Sequence, residues 1–283
     1  MMTHKVSDLI RLAMRKFTHL DRFQHEVRLI ISAVIGRSES WVFANHEYEV
    51  PEEQAQVIVS FIERRASHEP LAKILGRKNF WKFAFNTTQA TLDPRPDSEI
   101  LVEAVLSSFL DEKQPFRILE LGVGTGCLIM SILLDRPNAI GIGVDLSAEA
   151  LAVAGENLRH FELKERLLLV QADWLEAIGG SFDCIISNPP YIPSLEINEL
   201  APDVKDFDPL RALDGGADGL DYYRRFFKDC VPSMLTTNGK VFFECGIGQK
   251  EGVIEKSERS FLNFSNAYKD LQGIARVLEF CGG

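Results

Sequence analysis

The sequence has no apolar run approaching the roughly 18 residues of a membrane-spanning helix. Its opening segment, Met1 to Asp21, carries scattered charges and no apolar core ending in a small-residue cleavage site, so it does not read as a secretory signal. Cysteine is sparse. Cys127, Cys184, Cys230, Cys245 and Cys281 are odd in number, far apart and without a C-x-x-C pair. That argues against a disulfide framework and against a thiolate zinc site, and a reduced, cytoplasmic protein is expected. Basic charge is in deficit, with 31 Lys and Arg against 41 Asp and Glu. Coating nucleic acid non-specifically requires neutralising phosphates, which this balance disfavours. Internal repeats and low-complexity tracts are missing as well.

What is present is ordinary globular material. Of 283 residues, 46% are hydrophobic and 25% charged. The length suggests two domains, or one large α/β domain with an appendage. Charge is uneven along it. Residues 1–85 carry 13 basic and 10 acidic side chains, and residues 86–283 carry 18 and 31. A near-neutral front and an acidic body suggest two pieces with different tasks, although net charge speaks to solubility and association rather than fold.

The front reads as three short amphipathic helices. Leu9, Leu12, Ala13 and Phe17 follow a helical period, as do Val27, Ile30, Ile31, Val34 and Ile35 behind a possible N-cap at Asp21. A third helix begins near Pro51, suited to a first turn, and runs through Ala55, Ile58, Val59 and Ile62. Five of the six histidines (His4, His19, His25, His46, His68) are scattered here without ligand spacing, and no metal is expected. Between Ile74 and Leu92 the aromatics Phe80, Trp81, Phe83 and Phe85 crowd together ahead of Asn86, Thr87 and Thr88, which reads as a hairpin or extended linker.

Beyond Glu99 strand and helix alternate. Strands are expected at Phe116–Leu121, Ile140–Val144, Leu167–Val170, Phe182–Ser187 and Lys240–Glu244, with two more near Ala267–Lys269 and Val277–Phe280. Helices are expected at Cys127–Leu134, Ala148–Phe161, Asp221–Leu235 and Gln249–Ser257. The pattern implies an α/β fold with a parallel sheet covered on both faces.

The first of these strands runs into Glu120-Leu121-Gly122-Val123-Gly124-Thr125-Gly126. Glycine there permits positive φ and close backbone approach to a ligand at the strand's carboxyl end. Asp145 ends the next strand at a distance suited to ribose hydroxyls. The dinucleotide fingerprint would need glycine where Cys127 stands, and no Lys-Ser/Thr pair follows to make a P-loop. The G-x-G-x-G form behind an acidic residue resembles the S-adenosylmethionine loop of Rossmann-like methyltransferases. Asp173-Trp174, after the third strand, occupies the place where such proteins hold adenine, with ordinary packing as the alternative for Trp174.

Asn188-Pro189-Pro190-Tyr191 follows the fourth strand. Two prolines fix φ and remove two donors, and Pro189 biases Asn188 towards extended geometry. The turn thus offers the Asn188 side-chain oxygen and the Pro189 carbonyl as stiff acceptors for a planar NH2 group. An amide or aromatic amine is a poor nucleophile, and holding its nitrogen towards an electrophilic methyl works by positioning and electrostatics. Tyr191 would stack on the planar group or line a cationic methyl donor.

With these motifs the chain resembles the HemK/PrmC family of peptide chain release factor glutamine methyltransferases. Glu69-Pro70-Leu71, Gly76 and Phe80-Trp81 resemble its linker, and Pro94-Arg95-Pro96-Asp97-Ser98-Glu99 its P-R-P-[DE]-[ST]-E segment. Asp208-Pro209 through Leu213, Gly215-Gly216, Asp218-Gly219-Leu220 and Tyr223-Arg224 resemble the segment after the catalytic turn. Glu244-Cys245-Gly246 with Gln249, and Lys269-Asp270-Leu271 with Gly273 and Arg276-Val277, complete the match. Val123, Asp93 and Cys245 depart from the commoner Thr, apolar residue and Ile.

The resemblance implies a helical substrate-recognition domain over 1–72, a β-hairpin linker over 73–93 and a Rossmann-like class I methyltransferase domain over 94–283. It implies S-adenosylmethionine as methyl donor, S-adenosylhomocysteine as product, and as acceptor the glutamine amide of the Gly-Gly-Gln motif in class-I release factors. Glu120, Gly122, Val123, Gly124, Thr125, Gly126, Asp145, Asp173, Trp174 and Asn188 would contact the cofactor. Asn188, Pro189, Pro190 and Tyr191 would hold the glutamine. Arg95 and Glu99 would line the cleft, or else form an ion pair that fixes the linker.

Two other functions compete. The same turn suits a ribosomal-protein glutamine or the exocyclic amine of a DNA or RNA base, though the acidic body and the lack of a basic, aromatic-rich recognition domain count against nucleic acid. An adaptor that keeps the fold without the reaction is disfavoured by the intact turn beside the intact loop.

Overall fold

The computed structural model describes residues 4–17 and 23–282. The N-cap expected at Asp21, and His19, lie outside the described residues. The chain divides into two units, Met1–Gly76 with Pro202–Phe207, and Arg77–Ala201 with Asp208–Gly283.

In the first unit, α1 (Val6–Lys16), α2 (Phe23–Ile35) and α4 (Glu52–Ala66) follow the expected periods, with Leu9, Ala13, Val27, Ile30, Ile31, Ile58 and Ile62 buried together. Two short helices were not expected, α3 (Glu39–Ala44) and α5 (Leu71–Leu75). Neither is long enough to display a period. Ser38 caps α3 by accepting from Trp41 N at 3.1 Å, and Gly76 ends α5 at φ +71°. Pro51 stands one place earlier than expected, as the N-cap of α4, where its carbonyl accepts from Ala55 N. A two-residue pairing of β1 (His4–Lys5) with β2 (Glu49–Val50) and the helix α9 (Pro202–Lys205) complete this unit.

The second unit begins with the hairpin β3 (Arg77–Phe80) and β4 (Phe83–Asn86). Phe80 and Phe85 are buried, and Asn86 N donates to Asn157 Oδ1. The crowded aromatics are therefore packing. The body is a seven-stranded sheet of β5 (Arg117–Leu121), β6 (Ile140–Asp145), β7 (Leu167–Gln171), β8 (Phe182–Ser187), β9 (Leu235–Glu244), β10 (Leu262–Lys269) and β11 (Ala275–Gly282). Its order is β10-β11-β9-β8-β5-β6-β7. Strands β5 to β9 pair in parallel, whereas β11 runs antiparallel to both β9 and β10. The expected all-parallel sheet is thus mixed at one side. The cause is the tight Asp270–Gly273 turn, which joins two adjacent strands directly and leaves no room for a crossover helix.

The sheet buries both faces, as its apolar strands require. Ile118 and Ile186 pack with α6 (Glu99–Ser108), α7 (Cys127–Asp135) and α8 (Ala148–His160). Leu119, Ile185 and Phe243 face the other way, onto α10 (Asp221–Asp229) and α11 (Lys250–Ser257). Two corrections apply to the expected elements. Helix α10 ends at Asp229 rather than Leu235, because Pro232 cannot continue it, and residues up to Leu235 form a short 3-10 turn into a longer β9. Helix α6 went unexpected because Leu101, Val102, Ala104 and Val105 are buried in a nearly continuous apolar run with little period.

Candidate active site

The chain leaves β5 for one face of the sheet and its neighbour β8 enters the opposite course, so the two carboxyl ends diverge. That switch point is where an open α/β sheet forms a cleft. An open cleft lies there, lined by residues 90–98, 120–128, 144–150, 172–174, 187–190 and 209–222 in part.

The glycine loop forms its floor. Gly122, Gly124 and Gly126 have φ of +74°, +52° and +79°. A Cβ on Gly122 or Gly124 would meet nothing within 4 Å, so both backbones face open space, whereas one on Gly126 would fall 2.4 Å from Met130 Cε. Gly122 N and Val123 N both donate to Val144 O, and Gly124 N donates to Asp145 Oδ2 at 2.9 Å. The other Asp145 oxygen accepts from Ser147 N at 2.9 Å. Asp145 therefore braces the loop, and a carboxylate's remaining lone pairs still suit hydroxyl donors. Val123 packs over Gly143, where a Cβ would come within 2.8 Å of it. Thr125 is buried, with its carbonyl held by Asn157 Nδ2. Glu120 is buried and caps the start of α7 by accepting from Ile129 N at 3.1 Å. Burial pushes its carboxyl well above the usual range, and Asp145 adds to the rise.

Asp173 and Trp174 form one wall. Trp174 holds φ +54°, uncommon for a bulky residue, and stacks on Tyr222 with ring centroids 4.9 Å apart. Asp173 is held by Arg225 at 2.6 Å. Tyr222 and Arg225 were not singled out from sequence, yet their spacing of three on α10 places them on one helical face beside this wall.

At the carboxyl end of β8, Ser187 Oγ donates to Leu121 O at 2.7 Å, tying β8 to β5. Asn188, Pro189 and Pro190 line the cleft. Asn188 Nδ2 donates to Ser98 Oγ at 3.1 Å, which turns its oxygen away from Ser98. The segment after the turn folds back tightly: Ile192 N donates to Leu213 O, and Gly215 N to Ile192 O. A Cβ on Gly215 would lie 2.8 Å from Pro190 O, and one on Gly219 would lie 2.2 Å from Tyr191 O. Gln249 Nε2 donates to Tyr191 O at 2.7 Å. Tyr191 itself lies behind the lining, packed on the apolar cluster beneath α10, with its hydroxyl 3.5 Å from Glu244 Oε1. Its ring is thus not brought to the cleft with the rest of the turn, and burial raises its hydroxyl's pKa.

Arg95 and Glu99 separate. Arg95 lines the cleft and pairs with Asp208 at 2.5 Å, while Glu99 accepts from Trp81 N at 2.8 Å and holds the hairpin turn. Asp93, the departure from an apolar position, is buried and accepts from Thr87 Oγ1 at 2.8 Å. Apart from Glu120, whose burial favours the neutral form, the lining carries Asp93, Asp145 and Asp173 against Arg95 and Arg211. Such a cleft suits a cationic ligand and disfavours a pyrophosphate. Among the described residues, no group of three or more His, Cys, Asp or Glu gathers as a metal site, and no helix is long and apolar enough to cross a membrane.

Residues 8–76 match the PrmC N-terminal domain and residues 96–201 the methyltransferase small domain. A release factor glutamine methyltransferase of Rhodospirillum rubrum is 43% identical over 263 residues, which cover 93% of this chain and 80% of that protein. One of Caulobacter vibrioides is 38% identical over 260 residues, covering 92% and 89%. The hMettl16 catalytic domain solved in complex with MAT2A 3'UTR hairpin 6 shares the fold at a TM-score of 0.55 and 12% identity, covering 81% of this chain and 82% of that one. An open α/β sheet with a G-x-G-x-G loop and an Asn-Pro-Pro-Tyr turn meeting at its switch point, in a chain with such relatives, belongs to the release factor glutamine methyltransferase family.

Proposed function

We propose that this protein moves a methyl group from S-adenosylmethionine to the side-chain amide nitrogen of the glutamine in the Gly-Gly-Gln motif of class-I release factors. The observation that carries the proposal is the meeting of Asn188-Pro189-Pro190 with the glycine loop in one acidic cleft. The open faces of Gly122 and Gly124, the Asp145 carboxylate and the Trp174 wall fit the nucleoside and amino-acid parts of that cofactor. When bound, the cofactor supplies a methyl made electrophilic by positive sulfur.

The chain's residues do the rest by placement. The Asn188 oxygen and the Pro189 carbonyl each accept one N–H of the glutamine amide, which fixes the nitrogen and its direction. As the methyl passes from sulfur, which keeps the bonding electron pair, to nitrogen, the amide becomes cationic and then releases one proton to solvent. Both hydrogen bonds strengthen while that charge develops, so they stabilise the transition state more than the ground state. The carboxylates of the lining favour the cationic donor over its neutral product, which eases turnover.

The reading is tested by incubating the purified protein with S-adenosylmethionine and a release factor, then mapping methyl groups by mass spectrometry. One methyl on the Gly-Gly-Gln glutamine is expected. An unmodified glutamine together with methylated ribosomal protein or nucleic acid would replace it.

A further inference from the structure

The turn that carries Asp173 and Trp174 is short and is fastened on both sides. Ala172 N donates to Asp145 O at 3.2 Å, and Glu176 N donates to Asp173 O at 3.2 Å. Between these bonds Trp174 holds φ +54°, a left-handed backbone that a bulky residue keeps only where its surroundings hold it there. Those surroundings include two side chains of α10.

Consecutive residues of the turn meet residues of the helix spaced three apart. Arg225 Nη1 donates to Asp173 Oδ1 at 2.6 Å, and its Nη2 donates to Glu176 Oε1 at 3.3 Å. One helical turn earlier the Tyr222 ring stacks on Trp174, with centroids 4.9 Å and planes 29° apart. Asp229, four residues on from Arg225, lies 3.6 Å from its Nε and keeps the guanidinium on this face. The opposite face of α10 is fixed. Tyr223, Phe226 and Phe227 are buried against Phe243, and the Tyr223 hydroxyl donates to Glu244 O at 2.7 Å. Tyr222 is therefore mounted on a rigid element, whereas Trp174 is mounted on a turn.

Both rings line the cleft. A ring carried by a turn keeps rotamer freedom unless something packs on it, and a ligand that stacks on such a ring must remove that freedom at a cost in affinity. Tyr222 removes it before the ligand arrives. A wall of this kind suits a planar heterocycle, because stacking needs a ring face held in a fixed plane. Asp145, the carboxylate suited to ribose hydroxyls, is tied to the same turn through Ala172, so the wall stands at the nucleoside end of the cleft.

We propose that Tyr222 is a positioning residue which, with Arg225, holds the Trp174 ring as a preformed wall for the adenine of the methyl donor. It acts on the donor through Trp174. The inference rests on the reading of this cleft as the S-adenosylmethionine site, and it is independent of which group accepts the methyl. No bond is made or broken at the wall, so its effect is on donor affinity.

The test measures binding of S-adenosylhomocysteine and of adenosine to the full chain by calorimetry. Tyr222→Leu, which keeps an apolar side chain but no ring, should weaken both ligands by the same factor, about three- to tenfold, the worth of one aromatic pair. Tyr222→Phe should bind both as the wild type does. Arg225→Gln, which releases Asp173 without touching either ring, should weaken both as well. Trp174→Ala should weaken both, and adding Tyr222→Leu to it should cost nothing further, because a residue that acts through another then has nothing to act on. Rescue by phenylalanine and the lack of additivity are readouts that a general loss of packing would not give. Normal affinity in Tyr222→Leu or in Arg225→Gln overturns the proposal, as do losses that add in the double variant or that spare adenosine. A wild type that binds neither ligand overturns the methyl-donor reading itself, and this proposal with it.

Discussion

Asn188 works because its neighbours offer so little competition. Pro189 and Pro190 contribute no N–H, Ser98 takes the Asn188 nitrogen, and only acceptors are left for the cleft. Replacing Asn188 with alanine should lower turnover by about 10²–10³, the usual cost of one transition-state hydrogen bond. Binding of S-adenosylhomocysteine by calorimetry should change little, and a large loss there would assign Asn188 to the cofactor instead. At this scale the turn was legible because proline and asparagine have conformational and hydrogen-bonding habits visible without coordinates. Tyr191 was not. An aromatic ring gives no sign of which side of a turn it will occupy, and here the apolar cluster beneath α10 takes it. Ser98 stood inside a noticed motif, but its bond to Asn188 joins residues 90 apart in sequence, which spacing along the chain does not reveal. Tyr222 and Arg225 were hidden for a similar reason, since their partners Trp174 and Asp173 lie on another element.

The elements around the site hold one another at backbone distance. Gly215 and Gly219 lie so close to the catalytic turn that a Cβ on either is excluded, and Gly219 adds a φ of +75°. Gly219→Ala should therefore cost about 1–2 kcal/mol in backbone strain alone, before the contact with Tyr191 O is counted. A fall in melting temperature of several degrees is expected, at about 2–4 °C per kcal/mol for a unit of this size. Turnover should drop further than stability explains, because the displaced atom belongs to the turn. A variant that melts early yet turns over normally at low temperature would separate the two. Most elements of the sheet were legible, since apolar strands and helices of adequate length announce themselves by period. The failures were local. The end of α10 was misplaced because the apolar residues after Asp229 continue into a loop and a 3-10 turn, and the antiparallel direction of β11 went unseen because direction is set by loop length rather than by strand composition.

For the molecule as a whole, the division into a near-neutral front and an acidic body follows the charge along the chain. We assign the helical front to gripping the protein substrate. A variant beginning at Arg77 should keep S-adenosylhomocysteine affinity and methylate a short Gly-Gly-Gln peptide as before. Its kcat/KM on an intact release factor should fall about tenfold or more, as for loss of a docking surface. Equal loss on peptide and protein would show that the front serves folding instead. Sequence composition could suggest such a partition, but could not say that residues 202–207 group with the front, because that depends on where a loop returns. The placement of β11 also has a consequence in time. During synthesis the strand that carries Glu244 is made before its outer neighbour, and Val277, which pairs with Glu244, follows about thirty residues later. At ordinary translation rates that is a delay of a few seconds. Throughout it the nascent chain already displays its glycine loop and its Asn-Pro-Pro-Tyr turn, yet the strand bearing Glu244 has one bare edge. The sheet is therefore completed only once β11 has been made.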